Sequence, residues 1–125
     1  MIFRSLYWKT RNAWDLLREK IQRFRRGYAW IDVWNIHRWF VDNMIPMLTR
    51  LRDHGSSWPG EGWEGAETQE AWNETLTEMI DGFKLWRDAD DFNLPDKRFR
   101  MNEEERAKFD RAMKLFVKHF ETLWD

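Results

Sequence analysis

Four carboxylates in the middle of the chain have a spacing that could do chemistry. Glu67 and Glu70 stand three residues apart, and so do Glu78 and Asp81. Residues at i and i+3 share a helix face. Two carboxylates on one face can hold a magnesium ion, which keeps some waters and shares its remaining positions with substrate phosphates. Both pairs lie on or beside one predicted helix, so acidic residues on a solvated face are the simpler explanation. The histidines His37, His54 and His119 are far apart and lack the Glu-x-x-His spacing of carboxylate di-iron sites. His37 falls on an apolar face, where a hydrogen-bonded core histidine is the plainer expectation. Asp88, Asp90 and Asp91 cluster without the glycine-containing twelve-residue loop of a calcium site, and pairing with the basic first helix is expected for them. There is no cysteine, and Ser5, Ser56 and Ser57 sit in no nucleophile-elbow pattern. The glycines between 55 and 65 are followed by glutamates, not by a phosphate-binding lysine.

The tryptophans form a second candidate set. The chain holds ten, more than a four-helix core requires. Trp30, Trp34, Trp58 and Trp63, with His37 or Arg38 as polar handles, could line a ligand pocket or a partner surface. Pockets are mostly apolar with a few placed polar groups, and Trp and Arg dominate binding hot spots. The competing expectation is a core heavy in tryptophan.

The elements that must position these residues are helical. Trp30, Trp34, His37, Val41, Met44, Leu48 and Leu51 recur in alternating steps of four and three, the spacing of one helix face. A central helix over 30–54 is predicted. Pro46 should kink it near 42–46 without breaking it, because the apolar phase continues beyond. A first helix over 6–26 places Leu6, Trp14, Leu17, Ile21 and Phe24 on one face, as a core stripe. It ends at Gly27, suited to a left-handed C-terminal cap, and Gly55 is expected to serve likewise for the central helix. Residues 55–67 form a Gly/Pro/Trp loop, which Trp58 and Trp63 should pin to the body. A helix over 68–88, capped by Thr68, carries Trp72, Leu76, Met79, Phe83 and Trp86. Gly82 interrupts it, and close packing against a large ring would explain that. A last helix over 103–124 opens with Asn102 and Glu105 as a capping pair and carries Phe109, Met113, Phe116, Phe120 and Leu123. Lys114, Lys118 and His119 suit its C-terminal dipole. The fold class is all-α: about four helices in a compact, mainly antiparallel single-domain bundle with a kinked central helix.

Composition narrows the function classes. At 125 residues, with ten Trp and nine Phe, one domain can bury a core without disulfides or zinc. No apolar run reaches the ~20 residues of a membrane span, and residues 1–5 are not expected to act as a secretory leader. Net charge is −1, but its distribution is uneven. Residues 1–27 hold eight Lys/Arg against two acids, while residues 55–101 hold eleven acids against five bases. The two segments are expected to face each other. The first helix mixes Arg and Lys with Tyr7, Trp8 and Trp14, as a nucleic-acid or anionic-membrane surface would. Its apolar stripe, expected to be spent on the bundle, and an overall charge that is not basic disfavour the nucleic-acid surface, and the membrane surface is a lesser alternative.

Arg26-Gly27-Tyr28, Asp32-Val33-Trp34, the segment around Pro46, Trp72-Asn73-Glu74 with Met79 and Phe83, and the terminal Leu123-Trp124-Asp125 together resemble a family of small tailed-bacteriophage and prophage proteins. The family's loop often reads Gly-Tyr-Pro, where this chain has Ser57-Trp58-Pro59-Gly60. The resemblance implies a cytoplasmic accessory protein of an infected bacterial host and transfers no catalytic residue. The expectation is a non-enzymatic binding protein without a cofactor. It would engage a host protein or sequester a small anionic, nucleotide-like defence signal, and homo-oligomerisation is left open. Two alternatives stand beside it. One is a magnesium-dependent all-α nucleoside triphosphate pyrophosphohydrolase using Glu67, Glu70, Glu78 and Asp81, although that family draws its carboxylate pairs from separate helices. The other is a nucleic-acid-associated or structural phage component.

Overall fold

Asn12 starts the first helix, α1, which spans Ala13–Arg26. The Asn12 side chain accepts a hydrogen bond from the Asp15 N–H at 2.9 Å, which satisfies a donor that the first turn leaves free. Gly27 ends the helix as expected. At φ +86° it takes the left-handed conformation, and its N–H donates to the Arg23 carbonyl at 2.8 Å. The computed structural model describes residues 12–89 and 101–124. The predicted start of the first helix, with Leu6, Tyr7 and Trp8, therefore lies outside the described residues, as do Asp90, Asp91, Pro95 and Asp125. Three further helices follow among the described residues: α2, Ile36–His54; α3, Gln69–Ala89; and α4, Glu103–Lys118. Short 3-10 segments cover Trp30–Asn35 and Phe120–Thr122. The fold is all-α, with no strand among the described residues. The chain divides into two compact units after Trp39, inside α2.

The first unit departs from the sequence reading in two ways. The central helix does not begin at residue 30. Trp30–Asn35 is wound as 3-10, and at its start the Asp32 carboxylate folds back and accepts the Ala29 N–H at 2.8 Å. A 3-10 turn holds 3.0 residues instead of 3.6, so the apolar phase slips by about 20° per residue. Ile31 and Asn35 consequently become buried, while Trp34 and His37 are exposed. His37 is not a core histidine. The second departure is α1. Its stripe of Trp14, Leu17, Ile21 and Phe24 was expected in a core and is exposed instead. The helix turns its polar edge to its own unit. Gln22 Oε1 accepts the Trp30 N–H at 2.8 Å, Arg23 grips Asp32 through two hydrogen bonds of 2.8 and 3.0 Å, and Glu19 is fully buried.

The second unit follows the predicted stripes closely. Val41, Ile45 and Leu48 of α2 join Trp72, Leu76, Met79, Ile80, Phe83 and Trp86 of α3 and Ala112, Leu115 and Phe116 of α4 in one core. Phe40, Phe83 and Phe116, one from each helix, meet edge to face at centroid distances of 5.2 to 5.9 Å. Each such ring pair adds about 0.5–1.5 kcal/mol beyond simple burial. Pro46 lies inside α2, which continues past it unbroken to His54. Gly55 follows, but not in the left-handed conformation expected of it, and its N–H reaches the Leu51 carbonyl at 3.0 Å. Thr68 caps α3 through the Ala71 N–H at 3.1 Å. Asn102 and Glu105 exchange hydrogen bonds of 2.8 and 3.2 Å at the start of α4. The last α-helix stops at Lys118, and Phe120 and Trp124 are exposed.

Gly82 is explained by a helix crossing and not by a ring. A Cβ there would meet the Ala112 Cβ, and would stand 2.9 Å from the Lys108 carbonyl oxygen and 3.4 Å from the Phe109 Cα. Backbone cannot step aside cheaply, so overpacking should cost about 1–3 kcal/mol, more than the ~1 kcal/mol that alanine gains in helix propensity. Gly82→Ala is expected to lower Tm by several degrees in a calorimetric melt. A rise in Tm would show that the crossing has slack.

Candidate functional site

The candidate residues fall in both units. In the first, Trp30 and Trp34 pack as a T-shaped pair, with centroids 5.1 Å apart and planes at 86°. Trp34 and His37 are exposed, and Arg38 is half-buried. A shallow apolar hollow of about 240 Å³ on this unit is lined by Tyr28, Asp32, Val33, Ile36 and Trp39, none of which belongs to the expected set. Trp39 Nε1 donates to the Gly27 carbonyl at 3.3 Å, which ties the rim of this hollow to the end of α1.

In the second unit the Gly/Pro/Trp loop is folded on itself. The Gly60 N–H reaches the Ala66 carbonyl at 2.9 Å, and the Ala66 N–H reaches the Trp63 carbonyl at 2.9 Å. Thr75 Oγ1 donates to the Gly65 carbonyl at 2.7 Å. Ala66 is fully buried, and Trp63 packs against the core as expected of a pinning residue. Trp58 is exposed. Gly65 holds φ +88°, where a side chain would be strained and would crowd Thr75 Oγ1 at 3.3 Å.

One member of each acidic pair is engaged locally, and Glu70 stands in the first turn of α3. Glu78 takes Arg111 of α4 through contacts of 3.2 and 3.4 Å. Glu67 accepts the Gly65 N–H at 3.2 Å. Asp81 lines a groove that also carries the charged residues Lys84, Lys108 and Arg111. Among the described residues no group of three or more His, Asp or Glu is arranged to hold a metal ion. Asp88 pairs with its neighbour Arg87 at 3.2 Å.

A broader trough of about 500 Å³ runs between α2 and the end of the chain. Met44, Met47, Leu51, Phe116 and Phe120 form its apolar walls, and Arg50 and His54 stand on its rim. Sequence reading placed several of these residues in stripes but did not see that they leave a depression.

The residue that sequence reading most misjudged is His119. It was expected as a cation at the end of the last helix. It is fully buried, with Trp72 at 5.3 Å and Trp63 at 6.3 Å between ring centroids. Neither ring nitrogen finds a hydrogen-bond partner among the described residues. Burial, helped by the positive charge of Lys118, pushes its pKa below the ordinary 6.5, so the ring is neutral. Nothing in the local sequence marks this, because the burying rings come from the loop and from α3.

Among the described residues of the first unit, the face of α1 is an exposed apolar row. Trp14 is 67% exposed, Leu17 and Ile21 49% each, and Phe24 91%. These positions lie in one row about 15 Å long at about 1.5 Å per residue. No family model, curated protein or solved structure matches the chain.

The His119 cage makes a pH prediction. The folded state favours the neutral ring, so the unfolded chain takes up the proton first as pH falls. Stability is complete above the ordinary value of 6.5 and is lost below it. Thermal melts across this range should show Tm falling more steeply with acid in the wild type than in His119→Phe. Parallel slopes for the two proteins would rule out His119 as the responsible group.

Proposed function

We propose that the chain is a non-enzymatic binding protein, of the phage accessory kind its sequence resembles, and that α1 is the element with which it docks on a host component. One observation carries this reading: the apolar row Trp14, Leu17, Ile21 and Phe24 faces outward, while the polar edge of the same helix is engaged by Trp30 and Asp32. Scattered apolar side chains on a surface need no explanation. A contiguous row along one helix, rimmed by charge, is the usual form of an interaction face. The row also favours docking over sequestration of a small anion, which calls for a concave site that encloses its ligand.

The test compares full-length wild type with a Leu17→Glu/Phe24→Glu double variant. Both positions are exposed, so circular dichroism should be unchanged. Each protein is immobilised and challenged with bacterial extract, and the retained material is quantified. Retention is expected to fall about tenfold in the variant, the equivalent of ~1.4 kcal/mol. Equal retention by both proteins, or magnesium-dependent consumption of nucleoside triphosphates by the wild type, would overturn the proposal.

A further inference from the structure

We infer that the occupant of the α1 face is an anionic lipid surface. The inference rests on the reading of α1 as the docking element and supplies its partner. Three features of the helix point the same way.

The first is the composition of the exposed row. Trp14, Leu17, Ile21 and Phe24 present two aromatic and two branched aliphatic side chains on one side of a fourteen-residue helix. A helix with Trp, Phe and Leu on one face and Lys and Arg around it lies in the plane of a bilayer interface, with its apolar side sunk about 5–10 Å into the headgroup and acyl boundary.

The second is where the cations stand. At about 100° per residue, Arg18 and Arg25 lie on one flank of the row and Lys20 on the other, all within about a quarter turn of it. All three are exposed, and Arg18 lies 3.9 Å from the Asp15 carboxylate in a solvent-facing pair that a lipid phosphate can replace. Their aliphatic stems can lie along the interface while their charges reach lipid phosphates. This geometry opposes a second copy of the chain as occupant, since pairing two such faces would bring cationic flanks together. Over residues 1–27 the sequence carries eight Lys/Arg against two acids, and of the eight Arg23 is taken by Asp32. That surplus suits a negatively charged surface, on which each cation is worth about a fivefold gain in affinity.

The third is that the row is held outward. Arg23 is bound to Asp32 at 2.8 and 3.0 Å, and Gln22 accepts the Trp30 N–H at 2.8 Å. Rolling α1 to hide its apolar side would break all three hydrogen bonds. The face is therefore fixed before any partner arrives, and little ordering cost is left for binding.

The experiment is flotation of the full-length chain with vesicles of phosphatidylcholine alone and of phosphatidylcholine mixed with phosphatidylglycerol, at low and high salt. The anionic vesicles should bind at least about tenfold more tightly, and salt should erase the difference. Arg18→Ala and Arg25→Ala should each weaken binding about fivefold, and Leu17→Glu/Phe24→Glu should abolish it on both vesicle types. Absence of binding to anionic vesicles, or binding that the double glutamate variant retains, overturns the inference. Light scattering and extract capture separate that failure from failure of the docking reading. Suppose vesicles are ignored, but the wild type is a dimer that the double variant dissolves, or protease treatment of the extract abolishes capture. The α1 face then docks on protein, and only the lipid assignment falls. If the double variant changes nothing in any of these measurements, both fall.

Discussion

The Asp32 carboxylate is the constraint on which the first unit turns. One oxygen accepts from the Ala29 backbone and from Arg23 Nε, and the other accepts from Arg23 Nη2, all within 3.0 Å. It therefore joins two tasks: it caps the start of the 3-10 segment Trp30–Asn35 and fixes the rotation of α1 about its axis. The Asp32 side chain is largely buried while Arg23 stays partly exposed. After solvent screening the bidentate pair is worth about 1–2 kcal/mol. That is modest beside a core, but it acts on the choice between two orientations of a helix. In a helix with one apolar and one charged side, that choice decides which chemistry the surface displays.

The second unit is ordered differently. Its order comes from the ring junction of Phe40, Phe83 and Phe116 and from the close α3–α4 crossing at Gly82. The polar links between its helices, Arg52 Nη1 to Thr77 Oγ1 at 3.1 Å and Arg111 to Glu78, sit at the edges of that packing. The loop after α2 is closed mainly by its own backbone and by Thr75. The two units thus illustrate two ways of fixing helices, one by a charged clasp and one by shape.

Much of the fold was legible because local rules wrote it. Asn102 with Glu105, Thr68 and Gly27 act within a turn of their own position, and each does what its residue type prescribes. The stripe of α3 was readable because a helix buried on several sides hides nearly every apolar residue it has. Periodicity groups the residues of a face, however, without saying whether anything covers that face. Trp14, Leu17, Ile21 and Phe24 were correctly grouped and wrongly placed, because the Arg23–Asp32 contact spans nine residues. The tryptophan set suffered from the 3-10 winding, which rotates Trp34 and His37 away from the phase that an unbroken α-helix would give them. His119 was misread for a related reason: its surroundings come from Trp63 and Trp72, about fifty residues earlier.

The crossing at Gly82 also bears on how this sequence can change over time. The methyl of Ala112 already occupies the space that a larger residue at 82 would need, and the Lys108 carbonyl bounds the same space with backbone. A change at 112 can release one wall of that space but not the other. The two positions are therefore inherited as an unequal couple. Loss of the Ala112 methyl would open one wall, and position 82 stays closed by the Lys108 backbone even then. Among relatives of this chain, a side chain at the position of Gly82 would mark a shifted α3–α4 crossing and not a neutral substitution.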